Sequence, residues 1–118
     1  MSMHLVLIVD DDRDIRETIG DLLTEEGYRV ASAANGQEAL DYLKQGEAPC
    51  MILLDLMMPV MDGWQLLKLL SQDTTLMKIP VVVITAAGAH RTGQVVANQV
   101  LPKPLRVEGV LDAIHRFC

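Results

Sequence analysis

No apolar run in the 118 residues approaches the roughly 20 needed to cross a bilayer, which excludes a membrane-spanning helix. Only Leu5–Val9 precedes the acidic run Asp10–Asp12, so no secretory signal and a cytoplasmic protein are expected. Positive charge is in short supply: 10 Lys and Arg stand against 16 Asp and Glu, for a net charge of −6. Such a chain repels phosphates. This argues against binding nucleic acid or an anionic membrane through this domain, and it favours cations and basic partners. Cysteine is scarce as well. Cys50 and Cys118 fit no metal-binding spacing and are expected to be reduced thiols in that compartment. The histidines His4, His90 and His115 lie far apart, in no ligand spacing, and read as surface or partly buried residues. No internal repeat, linker or low-complexity segment is present, and the length suits a single domain, 1–118, with no second module.

What the chain does have is an alternation of apolar strands and amphipathic helices. Leu5–Val9 and Met51–Leu54 are short continuous apolar runs that suit strands buried on both faces. Val81–Ile84, entered from Pro80, is the strongest β signal, Arg29–Ala33 reads as a shorter strand, and Val100–Pro102 reads as a brief edge strand that tolerates its proline. Between them, Ile15, Ile19, Leu22 and Leu23 mark a helix over Asp14–Glu26, with Asp12 as N-cap and Gly27 as stop. Asn35 caps a second helix bearing Ala39, Leu40 and Leu43, which ends by Gly46. A third runs over Gly63–Gln72 with a broad apolar face made by Trp64, Leu66, Leu67, Leu69 and Leu70; its leucines read as core, and Trp64 as either core or a partner contact. Gly88 and Gly93 weaken the next helical stretch, so only a short fourth helix near Gly93–Asn98 is predicted. Val107, Val110, Leu111 and Ile114 predict a last helix over Arg106–Phe117. This order implies right-handed crossovers and an α/β fold, a parallel five-stranded sheet covered on both faces.

The polar residues then fall in a pattern. Asp10 and Asp11, Asp55, Thr85 and Lys103 all stand at the carboxyl ends of strands, where open α/β sheets bind ligands. Taken singly, each is ordinary: an acidic capping turn, a strand-end Thr, a surface Lys. Together they would converge on one cleft. Three carboxylates that close would raise one another's pKa unless a cation neutralised them, and Mg²⁺ (or Mn²⁺), which takes carboxylate, water and phosphate oxygens, suits them best. Lys103 adds a fixed positive charge and Thr85 a hydroxyl donor. Such a site suits charge developing on a phosphoryl group, with one Asp as nucleophile.

Val9-Asp10-Asp11-Asp12, Leu54-Asp55 with Pro59 and Gly63, Thr85-Ala86 and Lys103-Pro104 together resemble the receiver domain of two-component response regulators over nearly the whole chain. The resemblance implies a flavodoxin-like, CheY-like doubly wound sheet of order 2-1-3-4-5, here with a shortened fourth helix. It implies that Asp55 accepts a phosphoryl group from a sensor histidine kinase or a histidine phosphotransfer protein, switching binding to a downstream protein target that the sequence does not name. Asp11, Asp55 and the main-chain carbonyl of Met57 would ligate the metal directly, and Asp10 mainly through water. Lys103 would pair with the phosphoryl oxygens and Thr85 would hydrogen-bond them. The Lys103–Pro104 bond is expected to be cis. The chain would be a signalling domain rather than an enzyme, catalysing only its own phosphotransfer and dephosphorylation. Val100 replaces the family's usual Tyr or Phe, and the segment between Thr85 and Lys103 is shorter than usual; both bear on the output surface.

Three other readings are weaker. A haloacid-dehalogenase-like phosphohydrolase would need a Thr or Val where Asp14 closes the first motif, and room for a cap domain. A flavin site would be repelled by Asp10, Asp11 and Asp12. A receiver-like interaction module that works without phosphorylation keeps the fold and drops the chemistry. The residues of the loop after Asp55, Met57, Met58 and Met61, read as packing beside the site.

Overall fold

The structure is a computed structural model that describes residues 4–86 and 97–118. Strands β1 (Leu5–Val9), β2 (Arg29–Ala33), β3 (Met51–Asp55), β4 (Val81–Thr85) and β5 (Gln99–Pro102) form one parallel sheet in the order β2-β1-β3-β4-β5. Helices α1 (Arg13–Glu25), α2 (Gly36–Gln45), α3 (Gly63–Ser71) and α4 (Val107–Phe117) cover it. The apolar runs become strands buried along their whole length because each alternate side chain meets a different helix layer. Leu7, Val9, Ile52, Leu54 and Val83 pack with Ala39 and Leu43 of α2 and Leu66, Leu67 and Leu70 of α3. Val6, Ile8, Leu53, Val82 and Ile84 pack on the other face with Ile19 and Leu23 of α1 and Val110, Ala113 and Ile114 of α4. Leu23 is fully buried, and truncating it to Ala would cost about 2–5 kcal/mol.

The helix ends follow the sequence signals. Asp12 accepts the N–H groups of Asp14 and Ile15, and Asn35 accepts that of Glu38. Gly27 takes a φ of +93° just past α1, a conformation a side chain would resist. Asp62 and Gln65 form a reciprocal capping box that starts α3. The Lys103–Pro104 bond is cis, as the family resemblance implied.

Four details differ from the sequence reading. Leu69 is partly exposed on the outer side of α3, since Leu66, Leu67 and Leu70 share the inner face and Leu69 lies about 200° round the helix from Leu67. A 3₁₀ turn, Leu76–Lys78, buries Leu76 ahead of β4; Asp73 nucleates it by accepting the N–H groups of Thr75 and Leu76. The predicted short helix near Gly93–Asn98 lies mostly outside the described residues; Ala97 and Asn98 are not helical, and Asn98 pairs with the main chain of Val81. The cysteines are not free thiols. Cys50, at the foot of β3, and Cys118, at the end of α4, form a disulfide with Cα atoms 5.4 Å apart. Spacing along the chain could not show this pairing, because 68 residues separate the two and only the core layer that α4 and β3 share brings them together.

Candidate functional site

The register of the sheet brings the strand ends level. Val9 of β1 pairs with Leu54 of β3, Asp55 with Ile84 of β4, and Thr85 with Pro102 of β5. The next residues therefore open on one edge: Asp10 and Asp11 after β1, Asp55 at the tip of β3, Thr85 at the tip of β4 and Lys103 after β5. One carboxylate oxygen from each of Asp10, Asp11 and Asp55 lies within 4.8 Å of the others. Lys103 Nζ stands 3.4 Å from Asp55 Oδ1, and the Lys103 main chain is fixed by an N–H donated to the Thr85 carbonyl at 3.1 Å. Asp10, Asp55 and Thr85 are buried, whereas Asp11 is exposed at the mouth.

The carboxylates are held unequally. Asp10 Oδ1 accepts the Asp12 N–H at 2.9 Å, while its Oδ2 is buried and has no hydrogen-bond partner among the described residues. Burial raises the Asp10 pKa, the Asp12 N–H pulls it back, and Asp55 raises it further. Asp55 is also raised chiefly by burial; Lys103 and the Met57 N–H, which donates to Asp55 Oδ1 at 3.4 Å, oppose this. A buried orphan oxygen beside two more carboxylates is a costly arrangement for a metal-free protein. It fits a hard divalent cation: the donors are all oxygen and negatively charged, and the orphan atom is one that such an ion, or its water, would satisfy.

All five side chains picked out in the sequence thus lie on one edge of the sheet. Met57 is exposed, and its contact with Asp55 is through its amide. Met58 and Met61 pack on the core cluster beneath the loop, as does Trp64, which also lines a shallow cleft with Asp11, Pro59 and Asp62. The sequence reading missed Arg16. Its guanidinium donates to the Asp10 carbonyl at 2.7 Å and so pins the turn that carries the acidic pair. The available signal was a basic residue one turn into α1, two positions after Asp14 and six after Asp10.

The Response regulator receiver domain family matches residues 6–115. The chain belongs to that family. Sporulation initiation phosphotransferase F of Bacillus subtilis is 33% identical over 121 residues, covering 99% of this chain and 95% of that protein. Among solved structures, chemotaxis response regulator CheY4 of Vibrio cholerae is similar at a TM-score of 0.89 with 30% identity, covering 99% of this chain and 100% of that one. Response regulator protein TrrA of Thermotoga maritima, solved in complex with Mg²⁺-BeF, is similar at a TM-score of 0.87 with 25% identity, covering 98% and 100% of the two chains. Of two longer regulators that it also matches, this receiver spans only 36% and 51% of the length. The sheet order and the cis Lys103–Pro104 bond agree with the CheY-like fold implied by its motifs. Among the described residues no helix is long and apolar enough to cross a membrane.

Proposed function

We propose that this receiver takes a phosphoryl group on Asp55 from a histidine kinase or a histidine phosphotransfer protein. The observation that carries the proposal is the acidic trio with Lys103 Nζ 3.4 Å from the Asp55 carboxylate. Asp55 is the nucleophile. One of its oxygens forms a bond to phosphorus as the bond from phosphorus to the donor imidazole nitrogen breaks, and that nitrogen keeps the electron pair. Lys103 stays within reach of both the carboxylate and the incoming phosphoryl oxygens, and its charge opposes the burial that would otherwise protonate Asp55. Thr85, at the neighbouring strand tip, donates its hydroxyl to a phosphoryl oxygen. Asp10, Asp11, Asp55 and the Met57 carbonyl would hold Mg²⁺ or Mn²⁺, with Asp10 acting mainly through water. When bound, the cation neutralises charge on the phosphoryl oxygens. The ion-bearing complex of the Thermotoga relative supports this assignment.

An apolar recess beside Lys103, lined by Ile15, Thr18, Ile19, Pro104 and Leu105, gives a donor protein a surface to rest on next to the reacting atoms. We infer a cytoplasmic, single-domain module spanning 1–118 whose chemistry is limited to its own phosphotransfer and dephosphorylation, and whose phosphorylation switches binding to a protein target. The test is intact-mass measurement after incubation with acetyl phosphate and Mg²⁺. One phosphoryl group is expected on the wild type and none on Asp55→Asn or in the presence of chelator. Labelling that survives in Asp55→Asn would sink the assignment. An unlabelled wild type would favour an interaction module that works without phosphorylation.

A further inference from the structure

The phosphoacceptor reading makes no use of the cysteines. Cys50 precedes β3 at the end opposite Asp55, and its N–H donates to the Leu5 carbonyl at 2.8 Å at the foot of β1. Cys118 closes α4, its N–H donating to the Ile114 carbonyl at 2.8 Å. Both are half-buried and pack with Phe117 at the margin of the core cluster under α1 and α4. They are accessible from solvent yet held together by the fold.

Helix α4 otherwise has uneven support. Its middle is anchored by Val110, Ala113 and Ile114, but its N-cap, Arg106, makes no side-chain capping bond. Near its end, Arg116 reaches Gln99 only at 3.5 Å, and His115 and Arg116 are exposed. The disulfide is thus the strongest tie on the last turn. It also joins residues 68 apart, so it closes a large loop of the unfolded chain.

We propose that Cys50 and Cys118 form a reversible thiol–disulfide site, a clasp that fastens the last turn of α4 to the foot of β3 when oxidised and frees it when reduced by a dithiol. In the cytoplasmic setting proposed above, such a bond faces a thiol buffer and is exchangeable rather than permanent. In the exchange, one thiolate of the dithiol attacks a cysteine sulfur and the Cys50–Cys118 bond breaks, leaving the other cysteine as a thiolate that takes up a proton. The second thiol of the reductant, as its thiolate, then attacks the mixed disulfide and releases the first cysteine. Two cysteine thiols and one oxidised reductant result, with two electrons passed to the protein. Asp55 is five residues away along β3, roughly 17 Å at strand rise, so the acidic cluster keeps its geometry in either state.

The test starts from protein equilibrated with oxidised glutathione. Alkylation under denaturing conditions should label neither cysteine, and after dithiothreitol treatment of the folded protein it should label both. Reduction should lower the melting temperature by about 10 °C and speed hydrogen exchange at residues 115–118 more than at 51–55, where exchange follows global unfolding alone. Cys50→Ser and Cys118→Ser should melt at the lower temperature whether or not dithiothreitol is present, and acetyl phosphate should label Asp55 equally in both redox states. Two alkylated cysteines in the oxidised sample would overturn the proposal, as would a bond that dithiothreitol leaves intact in the folded protein. Reduction of the wild type with no change in exchange at the last turn would also overturn it. The alkylation, melting and exchange readouts do not depend on phosphorylation, so a receiver that fails to label with acetyl phosphate leaves this test standing.

Discussion

Among the described residues, Val60 is the one whose backbone most contradicts its side chain. It takes a φ of +68°, in the left-handed region, where a β-branched residue is a steric outlier. The loop from Asp55 to α3 holds it there. The Met61 N–H donates to the Pro59 carbonyl at 2.8 Å, the Met61 carbonyl accepts the Gly36 N–H at 2.8 Å, and the Gly63 N–H returns to the Leu56 carbonyl at 2.9 Å. Such a conformation costs about 1–3 kcal/mol. The side chain is 81% exposed, so replacing it forfeits less than about 0.5 kcal/mol of burial. Val60→Asn, which tolerates this region, should therefore stabilise the protein by about 1 kcal/mol. Val60→Gly removes the strain more completely but frees the unfolded chain at a cost of about 0.5–1 kcal/mol, so its gain should be near half that of Asn. In urea the Asn variant should shift the unfolding midpoint upward by about 0.5 M with an unchanged slope. If neither variant is more stable than the wild type, the strain argument is wrong.

Other consequences follow from the same edge of the sheet. Burial raises the pKa of Asp10 and Asp55, so the folded state binds protons more tightly than the unfolded one, and the stability these groups lend is lost as pH rises from ordinary carboxylate values through the raised ones. In chelator, Asp10→Asn should thus be more stable than the wild type by a margin that widens as pH rises; a constant margin would refute this. Mg²⁺ at ten times its dissociation constant should stabilise the wild type by about 1.4 kcal/mol, and Asp11→Ala should lose most of that gain in a thermal melt. Gly63→Ala would place a Cβ 2.7 Å from the Asp55 carbonyl oxygen and from Leu56 Cα, both main chain, and should cost about 2–3 kcal/mol in denaturant unfolding. Val100 lacks a ring to turn inward, so phosphorylation should perturb NMR shifts around Asp55–Gly63 more than along Val100–Phe117; equal changes would refute this.

The sheet was legible in the sequence because burial on both faces leaves a plain mark. Leu5–Val9, Met51–Leu54 and Val81–Ile84 are apolar at every position, and the first became a strand with the same ends. Helices were legible where a cap bracketed the periodicity, as at Asp12 and Asn35. The 3₁₀ turn at Leu76–Lys78 was not, since one buried leucine makes no period. Leu69 was misplaced for the converse reason: a run of leucines satisfies several phases at once, and only the packed neighbours choose among them.

The site divides along a similar line. Asp10, Asp11, Asp55, Thr85 and Lys103 could be found because strand ends are countable in a parallel sheet, and a single register carries them all to one edge. Their order of importance could not. That Asp10 keeps an orphan buried oxygen while Asp11 faces solvent depends on how the Asp12 N–H and the Arg16 guanidinium seize the turn. The same holds for Cys50 and Cys118. Composition and compartment argue about cysteines as a population, whereas a disulfide depends on two Cβ positions. Those positions are set by α4 and β3 sharing one core layer, a contact between the middle of the chain and its end. Patterns local to a strand or helix are written in sequence, while pairings between elements become visible only when the sheet order places them side by side. For that reason the phosphoacceptor edge could be read early, and the disulfide at the opposite end of β3 could not.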